Sequence, residues 1–296
     1  MLQYLKNKLR TSLSSNKYKP PQPQGEFSAR IIHRHRTFWK SADAEYVRNL
    51  PMDANMPLAQ WKAEPHWQRT LSNKNNSREF AKMHGCLVPE LYWKGRDLEQ
   101  LDFKIMPEQY VIRPTIGHSC NLVFLMNKGF NLMDKTYYSE TQLRAELDKA
   151  LRKNPYMEFL IEEFVRSESG EYKIPDDYKI SMFNGEVALI DVINRVSPKE
   201  GLSSCYDENW NMIENISQFY KQAPYQKPPA CLEEMITFAK TLSKSYEIYV
   251  RIDFYATDKG AVFGEFTPTP AAGAGFTPKA EQVLAGYWDK YCNGSI

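Results

Sequence analysis

The segment YVRIDFYATDKGAVFGEFT, residues 249–267, decides the fold of this chain. Two largely apolar runs of strand-forming residues flank Asp258-Lys259-Gly260, and this combination predicts a β-hairpin. Each run carries one carboxylate, Asp253 in the first and Glu265 in the second. The relative position of these carboxylates therefore depends on how the hairpin turns.

The length of the turn sets the register of the two strands. We predict a three-residue loop in which Gly260 supplies the positive φ, so that Ala256 pairs with Val262. Counting back along both strands, Asp253 then lies directly opposite Glu265. A loop one residue shorter or longer would move Asp253 out of this register.

Side-chain alternation predicts one polar face for this hairpin. The even positions of 250–254 are apolar and are expected to face the core, while Arg251, Asp253 and Tyr255 face the other side. Opposed carboxylates repel each other unless positive charge lies between them. Without His or Cys nearby, such a pair suits Mg²⁺, which completes its octahedron with phosphates and water. The alternative is an exposed face with ordinary surface charges.

The composition is that of a globular chain of 296 residues, long enough for one large or two moderate domains. The chain is 42% hydrophobic and 25% charged, with a mean hydropathy of −0.57. No run approaches the ~18 apolar residues of a membrane span. Residues 1–10 lack the apolar region of a secretory signal, so we expect a cytoplasmic location.

The cysteines give no sign of a disulfide framework or a zinc site. There are five of them, widely scattered and without a C-x-x-C pair. Buried structural thiols are the commoner use of such residues, and we expect that here.

Positive charge is concentrated at the N-terminus. Residues 1–40 hold nine Lys or Arg against Glu26 alone, and the remaining body is acidic. This arm can contact an anionic membrane face or a glycan polymer, or it can dock on the protein or be disordered. We expect the His33–Arg36 run to be a solvated strand edge rather than a polyanion site, and residues 18–24 to be an extended linker. No nucleic-acid partner is expected, because the body is acidic.

Helix signals are clear in four parts of the chain. Asn76 with Glu79 predicts a capped helix that stops at Gly85. Ser139 and Gln142 form a capping box in front of an amphipathic helix. Two further helices are expected over 232–242 and 279–291.

Strand signals surround these helices, which makes the class α+β with largely antiparallel sheets. Asn184-Gly185 predicts a second hairpin, in which Lys179 pairs with Ile190. Arg195 then lies on the opposite face from Lys179 unless a bulge intervenes. The other expected strands cover 87–93, 109–113, 122–126 and 157–165.

In this order of elements the chain resembles the ATP-grasp superfamily, and most closely its teichuronopeptide-biosynthesis-type (TupA-like) branch, which is associated with cell-surface polysaccharide loci. The resemblance covers about residues 72–291. The motifs that carry it are EQYVIRP at 108–114, LIEEFV at 160–165, PDDYK at 175–179, RIDFY at 251–255 and GEFTPTP at 264–270.

The resemblance implies the ATP-grasp fold, in which a nucleotide is clamped between two antiparallel-rich α+β subdomains, here with a basic N-terminal extension. It implies an ATP- and Mg²⁺-dependent ligase that activates a carboxylic acid as an acyl phosphate and joins it to an amine, such as an amino acid, as an amide. A phosphotransferase of the same fold and a non-catalytic nucleotide-binding scaffold are the alternatives. The expected parts are an N-terminal extension and linker (1–70), a pre-grasp segment (71–108), the small lid subdomain (109–165) and the C-terminal catalytic subdomain (166–296).

The resemblance also implies roles for the polar residues of the two hairpins. Asp253 and Glu265 look like the metal-binding pair, and Thr267 stands where relatives commonly have a metal-binding Asn. Arg251 would hold the transferring phosphoryl group, since a guanidinium fork suits its oxygens. Lys179 would face the phosphates, with a solvated hairpin face as the alternative.

The nucleotide is expected at the end of the 160–165 strand. Main-chain groups at Glu162 and Val165 would read the adenine edge, with the side chain of Glu162 or Glu163 nearby; the alternative is that the glutamates merely end an edge strand. Arg113 stands where the family usually has a lysine that touches the α- and β-phosphates, and Arg is not an equal substitute for Lys. The loop that follows it has a single glycine, and the small residues of 267–275 are expected to pack against the acceptor or to form a structural crossover.

Overall fold

The computed structural model describes residues 23–39, 41–195, 197 and 200–292. These residues form two six-stranded sheets with helices around them. The helices are α1 (Glu26–Trp39), α2 (Ala44–Arg48), α3 (Leu58–Trp61), α4 (Lys74–Met83), α5 (Glu140–Lys153), α6 (Leu232–Tyr246) and α7 (Pro278–Tyr291). Short 3₁₀ helices cover Trp67–Ser72, Leu98–Gln100 and Phe103–Ile105, and a tight turn covers Pro270–Gly273.

The first sheet is antiparallel and has the strand order β1-β6-β2-β3-β4-β5. Its strands are β1 (Leu91–Gly95), β2 (Gln109–Pro114), β3 (Phe124–Asn127), β4 (Phe130–Asn131), β5 (Thr136–Tyr137) and β6 (Phe159–Glu163). The predicted capping box of Ser139 and Gln142 is present and starts α5, which buries Leu143 and Leu147 against this sheet. β1 begins later than the predicted strand at 87.

The second sheet has the order β10-β9-β8-β7-β11-β12 and is antiparallel except for the short β9–β10 pair. Its strands are β7 (Asp177–Phe183), β8 (Glu186–Arg195), β9 (Gly201–Tyr206), β10 (Lys221–Gln222), β11 (Tyr249–Thr257) and β12 (Gly260–Thr267). The hairpin predicted at Asn184-Gly185 joins β7 to β8.

The two faces of the second sheet have different environments. Val250, Ile252 and Phe254 are fully buried in a core that α6 covers, as the alternation predicts. On the other face, α1 and α7 cover the start of β11, where the ring of Tyr249 stacks on that of Trp288 with centroids 5.5 Å apart. Farther along β11 the same face carries Arg251, Asp253 and Tyr255, and the neighbouring strand β12 accepts a hydrogen bond from Arg113 of the first sheet at the carbonyl oxygen of Gly264.

The β11–β12 hairpin brings Asp253 directly opposite Glu265, as predicted. The route to this register differs from the prediction. Ala256 pairs with Ala261, so the predicted pairing with Val262 is wrong and the turn is one residue tighter than expected.

The spare residue is accommodated within the strand as a β-bulge. The register shifts between Asp253 and Phe254, where β12 carries Gly264 as an extra residue. Gly260 has the predicted positive φ, 107°, at the end of the turn. The tighter turn and the bulge cancel, and for that reason the two carboxylates still face each other.

We expect Gly264→Ala to lower the free energy of unfolding by about 1–3 kcal/mol, the usual cost of overpacking. A Cβ at position 264 would lie 2.9 Å from the carbonyl oxygen of Asp253 and 3.2 Å from the ring of Tyr255, so the backbone must move. The matched control is Gly286→Ala in α7, where a Cβ meets nothing within 4 Å and alanine favours the helix. Chemical denaturation of both variants measures the difference; equal stability would show that the bulge adapts.

The β7–β8 hairpin also contains a register shift, and it changes one prediction. Lys179 pairs with Asp191 rather than with Ile190. Arg195 and Lys179 consequently share a face, and both contact Asp177, with nitrogen–oxygen distances of 2.7 and 3.5 Å. The bulge that the prediction set as a condition for this arrangement is present.

Two other local predictions are corrected. Helix α4 begins at Lys74, and Asn73 rather than Asn76 is its N-cap, because the side chain of Asn73 accepts from the backbone N–H of Asn75. The His33–Arg36 run lies in helix α1 instead of a strand edge, and Arg34 is fully buried.

Helices of the segment assigned to the extension and linker belong to the folded body. Phe27, Ile31 and Phe38 of α1 are fully buried, and Trp61 of α3 is 1% exposed. Residues 1–22, which include most of the basic arm and of the predicted linker, lie outside the described residues. None of the helices in the described ranges is both long and apolar enough to cross a bilayer.

Candidate active site

A row of polar side chains crosses the second sheet on its polar face. The directly paired residues along the row are Glu265, Asp253, Lys179, Asp191 and Cys205, one from each of five neighbouring strands. Asp253 is 3% exposed, which excludes the alternative of an ordinary surface charge at that position. The row therefore brings buried charges of both signs together.

Asp253 is held by two cations. Arg251 donates from Nε to Oδ1 over 2.7 Å and from Nη2 to Oδ2 over 2.8 Å, and Lys179 donates from Nζ to Oδ2 over 2.5 Å. Burial opposes ionisation of this carboxyl, but Arg251 and Lys179 outweigh it and lower its pKa. Asp253 consequently orients both cations toward the same point of the face.

Thr267 and Glu265 complete this group. Nη2 of Arg251 donates to Oγ1 of Thr267 over 2.9 Å. The Glu265 side chain is one-third exposed, at 33%, and its nearest cation is Lys74 with Nζ 3.4 Å from Oε2. The structure thus brings together five of the residues singled out in the sequence: Arg251, Asp253, Lys179, Glu265 and Thr267.

Lys74 is a member of the site that sequence reasoning missed. It is the first residue of α4, and its Nζ donates to the carbonyl oxygen of Gly117 over 3.3 Å as well as contacting Glu265. Its backbone N–H donates to the carbonyl oxygen of Thr115 over 2.7 Å. Lys74 therefore connects the loop after β2 to the carboxylate pair. The sequence would have indicated this role only if the start of α4 had been placed at Lys74.

Asp177 and Asp191 were also missed. Asp191 accepts a hydrogen bond from the Oγ of Ser203 over 2.5 Å, and burial raises the pKa of its carboxyl. Asp177 contacts Lys179 and Arg195. A usable signal existed for Asp191, because it is the single charged residue of the 187–193 run.

The donor set suits a hard cation. An ionised carboxylate has about four lone-pair positions, and Asp253 uses three of them, which leaves one on Oδ1. Glu265 and Thr267 add oxygen donors that Mg²⁺ accepts. The described part of the chain has no cluster of three or more His, Cys, Asp or Glu that could hold a metal alone, so further ligands would have to come from phosphates and water.

A second buried group of charges joins the two sheets. In this group, which we call the Glu162 cluster, Glu162 accepts from Arg113 Nε over 2.5 Å and Nη2 over 3.2 Å, and from Arg78 Nη1 over 3.4 Å. Burial opposes the charge of Arg113, but Glu162 outweighs it and raises the guanidinium pKa. Nη1 of Arg113 donates to the carbonyl oxygen of Gly264 over 3.2 Å. Phosphate binding by Arg113 would therefore compete with these contacts.

The other residues expected at the nucleotide lie at the end of β6. Glu162 is paired in the sheet on both sides, with Leu91 and with Val111. Glu163 forms an ion pair with Lys259 of the hairpin turn. Val165 is buried just beyond the strand. The predicted contacts of these residues with adenine stay predictions.

The family follows from a match to most of the chain. The family model described as TupA-like ATPgrasp matches residues 62–287. The chain belongs to the TupA-like ATP-grasp family. Helix α1, which precedes the matched residues, is outside that match.

The TupA-like chain is similar to solved structures of ligases. A D-alanine–D-alanine ligase from Bacillus anthracis is 17% identical, with a TM-score of 0.50, over 75% of this chain and 67% of that one. The same ligase complexed with ATP is 16% identical, with a TM-score of 0.49, over 75% and 66%. An L-amino acid ligase from Bacillus licheniformis is 12% identical, with a TM-score of 0.49, over 83% and 55%.

The family match and the ligase structure with a TM-score of 0.50 confirm the predicted ATP-grasp fold, and the described residues form two mostly antiparallel sheets. The TupA-like chain spans about two thirds or less of the length of the solved structures just described. A comparison with curated proteins finds no match.

Proposed function

We propose that the chain is an ATP- and Mg²⁺-dependent carboxylate–amine ligase that forms an amide through an acyl phosphate. The observation that supports it most strongly is the opposed pair Asp253 and Glu265, flanked by Arg251 and Lys179 on one buried polar face. Two carboxylates with neighbouring cations suit a reaction in which phosphate charge is moved and neutralised. Membership of an ATP-grasp family supports the same reading.

In this proposal Asp253, Glu265 and Thr267 hold Mg²⁺, which when bound supplies positive charge to the nucleotide phosphates. Arg251 binds the transferring phosphoryl group through its guanidinium, and Lys179 binds a neighbouring phosphate oxygen. Because Asp253 already orients both cations, little reorganisation is needed when the substrate arrives.

The nucleotide is proposed to lie between the sheets, with Glu162, Glu163 and Val165 at the adenine and Arg113 near the phosphates. Arg113 would then share its charge between Glu162 and a phosphate. In the same proposal the lid subdomain is 109–165, and the catalytic subdomain is 166–296.

The biological setting is part of the proposal. The acid would be a uronic acid or another acidic building block of a cell-surface polysaccharide, and the amine would be an amino acid. The work would take place in the cytoplasm, where the basic N-terminal residues can contact the inner membrane face. The acceptor would pack beside the small residues of 267–275, next to Thr267.

The test is ADP release by the full chain with Mg²⁺, across amino acids paired with uronic acids and sugar nucleotides. We expect ADP release that requires an acid and Mg²⁺, and we expect added hydroxylamine to give a hydroxamate, since only an acyl phosphate is trapped in this way. Phosphorylation of a hydroxyl without any hydroxamate would favour the phosphotransferase. ATP binding without ADP release under every pairing would favour the scaffold.

A further inference from the structure

Arg34 of helix α1 is a buried cation that lies next to the proposed site and outside the residues that match the family. Its Nη1 donates to the carbonyl oxygen of Tyr249 over 2.7 Å and to that of Pro268 over 3.2 Å. Tyr249 is the first residue of β11, and Pro268 directly follows the last residue of β12. One guanidinium nitrogen thus joins the two open ends of the hairpin.

The joined ends carry two residues of the proposed site. Arg251 lies two positions beyond Tyr249, Thr267 lies one position before Pro268, and Arg251 and Thr267 pair directly. The backbone that Arg34 fixes is therefore the backbone from which the phosphoryl-binding guanidinium and the hydroxyl ligand project.

The guanidinium of Arg34 is costly to bury. Its guanidinium is fully buried over the ring of Trp288, with Cζ 4.6 Å from the ring centroid. In the part of the chain that the structure describes, its Nε and Nη2 have no hydrogen-bond partner. Because an incompletely paired buried charge is costly, the arginine is better explained by the two carbonyl oxygens that Nη1 holds.

Helix α1 also packs on the loop that follows β12. A Cβ on Gly273 would lie 2.9 Å from the carbonyl oxygen of Ser28 and 2.8 Å from Cγ1 of Ile32, so the helix and the loop are in close contact. The backbone N–H and the hydroxyl of Ser28 donate to Glu281, which fixes the helix against α7.

The loop itself has a costly backbone conformation. Ala271 and Ala272 have φ values of 48° and 49°, in the left-handed region that non-glycine residues avoid. Such residues persist where the surroundings hold them in place, and here α1 is that surrounding.

We propose that Arg34 is a positioning residue that holds Arg251, Thr267 and the loop at 268–275 in their working arrangement from a helix outside the family match. The effect of this positioning on binding of the acid and the amine rests on the proposed function. The effect on the backbone of the hairpin ends and of the loop does not.

The first experiment needs no activity. Hydrogen exchange of the full-length protein is compared for Arg34→Met, Arg34→Lys and the matched control Arg36→Met, which changes an exposed arginine of the same helix. We expect Arg34→Met to speed exchange in 268–276 by about tenfold, while exchange in β2 and β3 of the first sheet stays at the control rate. Arg34→Lys keeps a charged donor and should recover part of the protection. The melting temperature of Arg34→Met should stay within about 5 °C of the control.

Two outcomes would overturn the proposal. One is an exchange rate in 268–276 equal to that of Arg36→Met. The other is a uniform rise in exchange across both sheets with a large fall in melting temperature, which would make Arg34 a general stabilising residue.

The second experiment is kinetic and uses the pairing of acid and amine that gives ADP release. We expect Arg34→Met to lower kcat and to raise KM for the acid or the amine at least about tenfold, with KM for ATP within about twofold of the control. Equal kinetic constants for Arg34→Met and Arg36→Met would overturn the proposed effect on binding of the acid and the amine. If the unaltered protein shows no turnover, the proposed function fails, and the exchange experiment still decides the role of Arg34.

Discussion

Replacing Glu162 by glutamine is expected to lower the free energy of unfolding by about 3–5 kcal/mol, the usual cost of breaking a buried ion pair from one side. Glu162 is 1% exposed and is the carboxylate that faces both Arg113 and Arg78 in the Glu162 cluster. Glutamine keeps the shape of the side chain but removes its charge. Arg113 would then lose its buried ion-pair partner, and Arg78 would keep only Glu79, whose Oε1 lies 3.8 Å from its Nε. A buried charge without its partner is far more costly than the loss of a hydrogen bond.

The adjacent residue provides the control for this variant. Glu163 forms an ion pair with Lys259, whose side chain is 55% exposed. We expect Glu163→Gln to change the free energy of unfolding by about 0–1 kcal/mol, as is usual for pairs open to solvent. Urea denaturation of both variants measures the difference. Similar values for the two would mean that the cluster is hydrated, or that Arg113 and Arg78 find other partners.

Replacing Asp253 by asparagine is expected to lower ATP turnover by about 10²- to 10³-fold, since a metal contributes several kcal/mol of charge stabilisation at a phosphoryl group. The substitution removes one of the two carboxylates proposed to hold Mg²⁺. It also weakens the contacts that orient Arg251 and Lys179, whose nitrogens lie 2.5–2.8 Å from the Asp253 oxygens. We also expect the Mg²⁺ concentration for half-maximal turnover to rise.

Asp258 is the matched control because it lies in the turn of the same hairpin and forms an ion pair with Arg166 away from the polar row. Asp258→Asn should leave turnover within about twofold, since pairs of this kind at the surface contribute little. Circular dichroism at the assay temperature verifies that both variants are folded. Full Mg²⁺-dependent turnover by Asp253→Asn would refute the proposed metal site.

Features that depend on sequence neighbours could be predicted well. The Ser139–Gln142 capping box and the Asn184-Gly185 hairpin follow from local backbone chemistry, and both are present. The alignment of Asp253 with Glu265 was also predicted, but through a turn that was one residue too long. A bulge at a glycine corrects that count, and nothing in the alternation pattern requires a bulge there.

Features that depend on contacts between distant segments could not be predicted. Arg34 lies in a run whose alternation suggested a strand, and its acceptors are more than two hundred residues away in the chain. The pairing of Arg113 with Glu162 requires knowledge that β2 and β6 are neighbours. The resemblance indicated that both residues matter, but it could not show that they contact each other.

The bulge at Gly264 has a consequence for how the two halves of the molecule stay attached. On the second sheet, Arg113 donates its hydrogen bond to a peptide carbonyl oxygen, that of Gly264. This contact between the sheets therefore does not depend on the chemical type of the side chain at position 264. The residues that position 264 can hold are limited by the available space rather than by their polarity. The attachment point therefore follows the path of the main chain: a substitution at position 264 disturbs it by moving the backbone, whereas a substitution of Arg113 removes the donor itself.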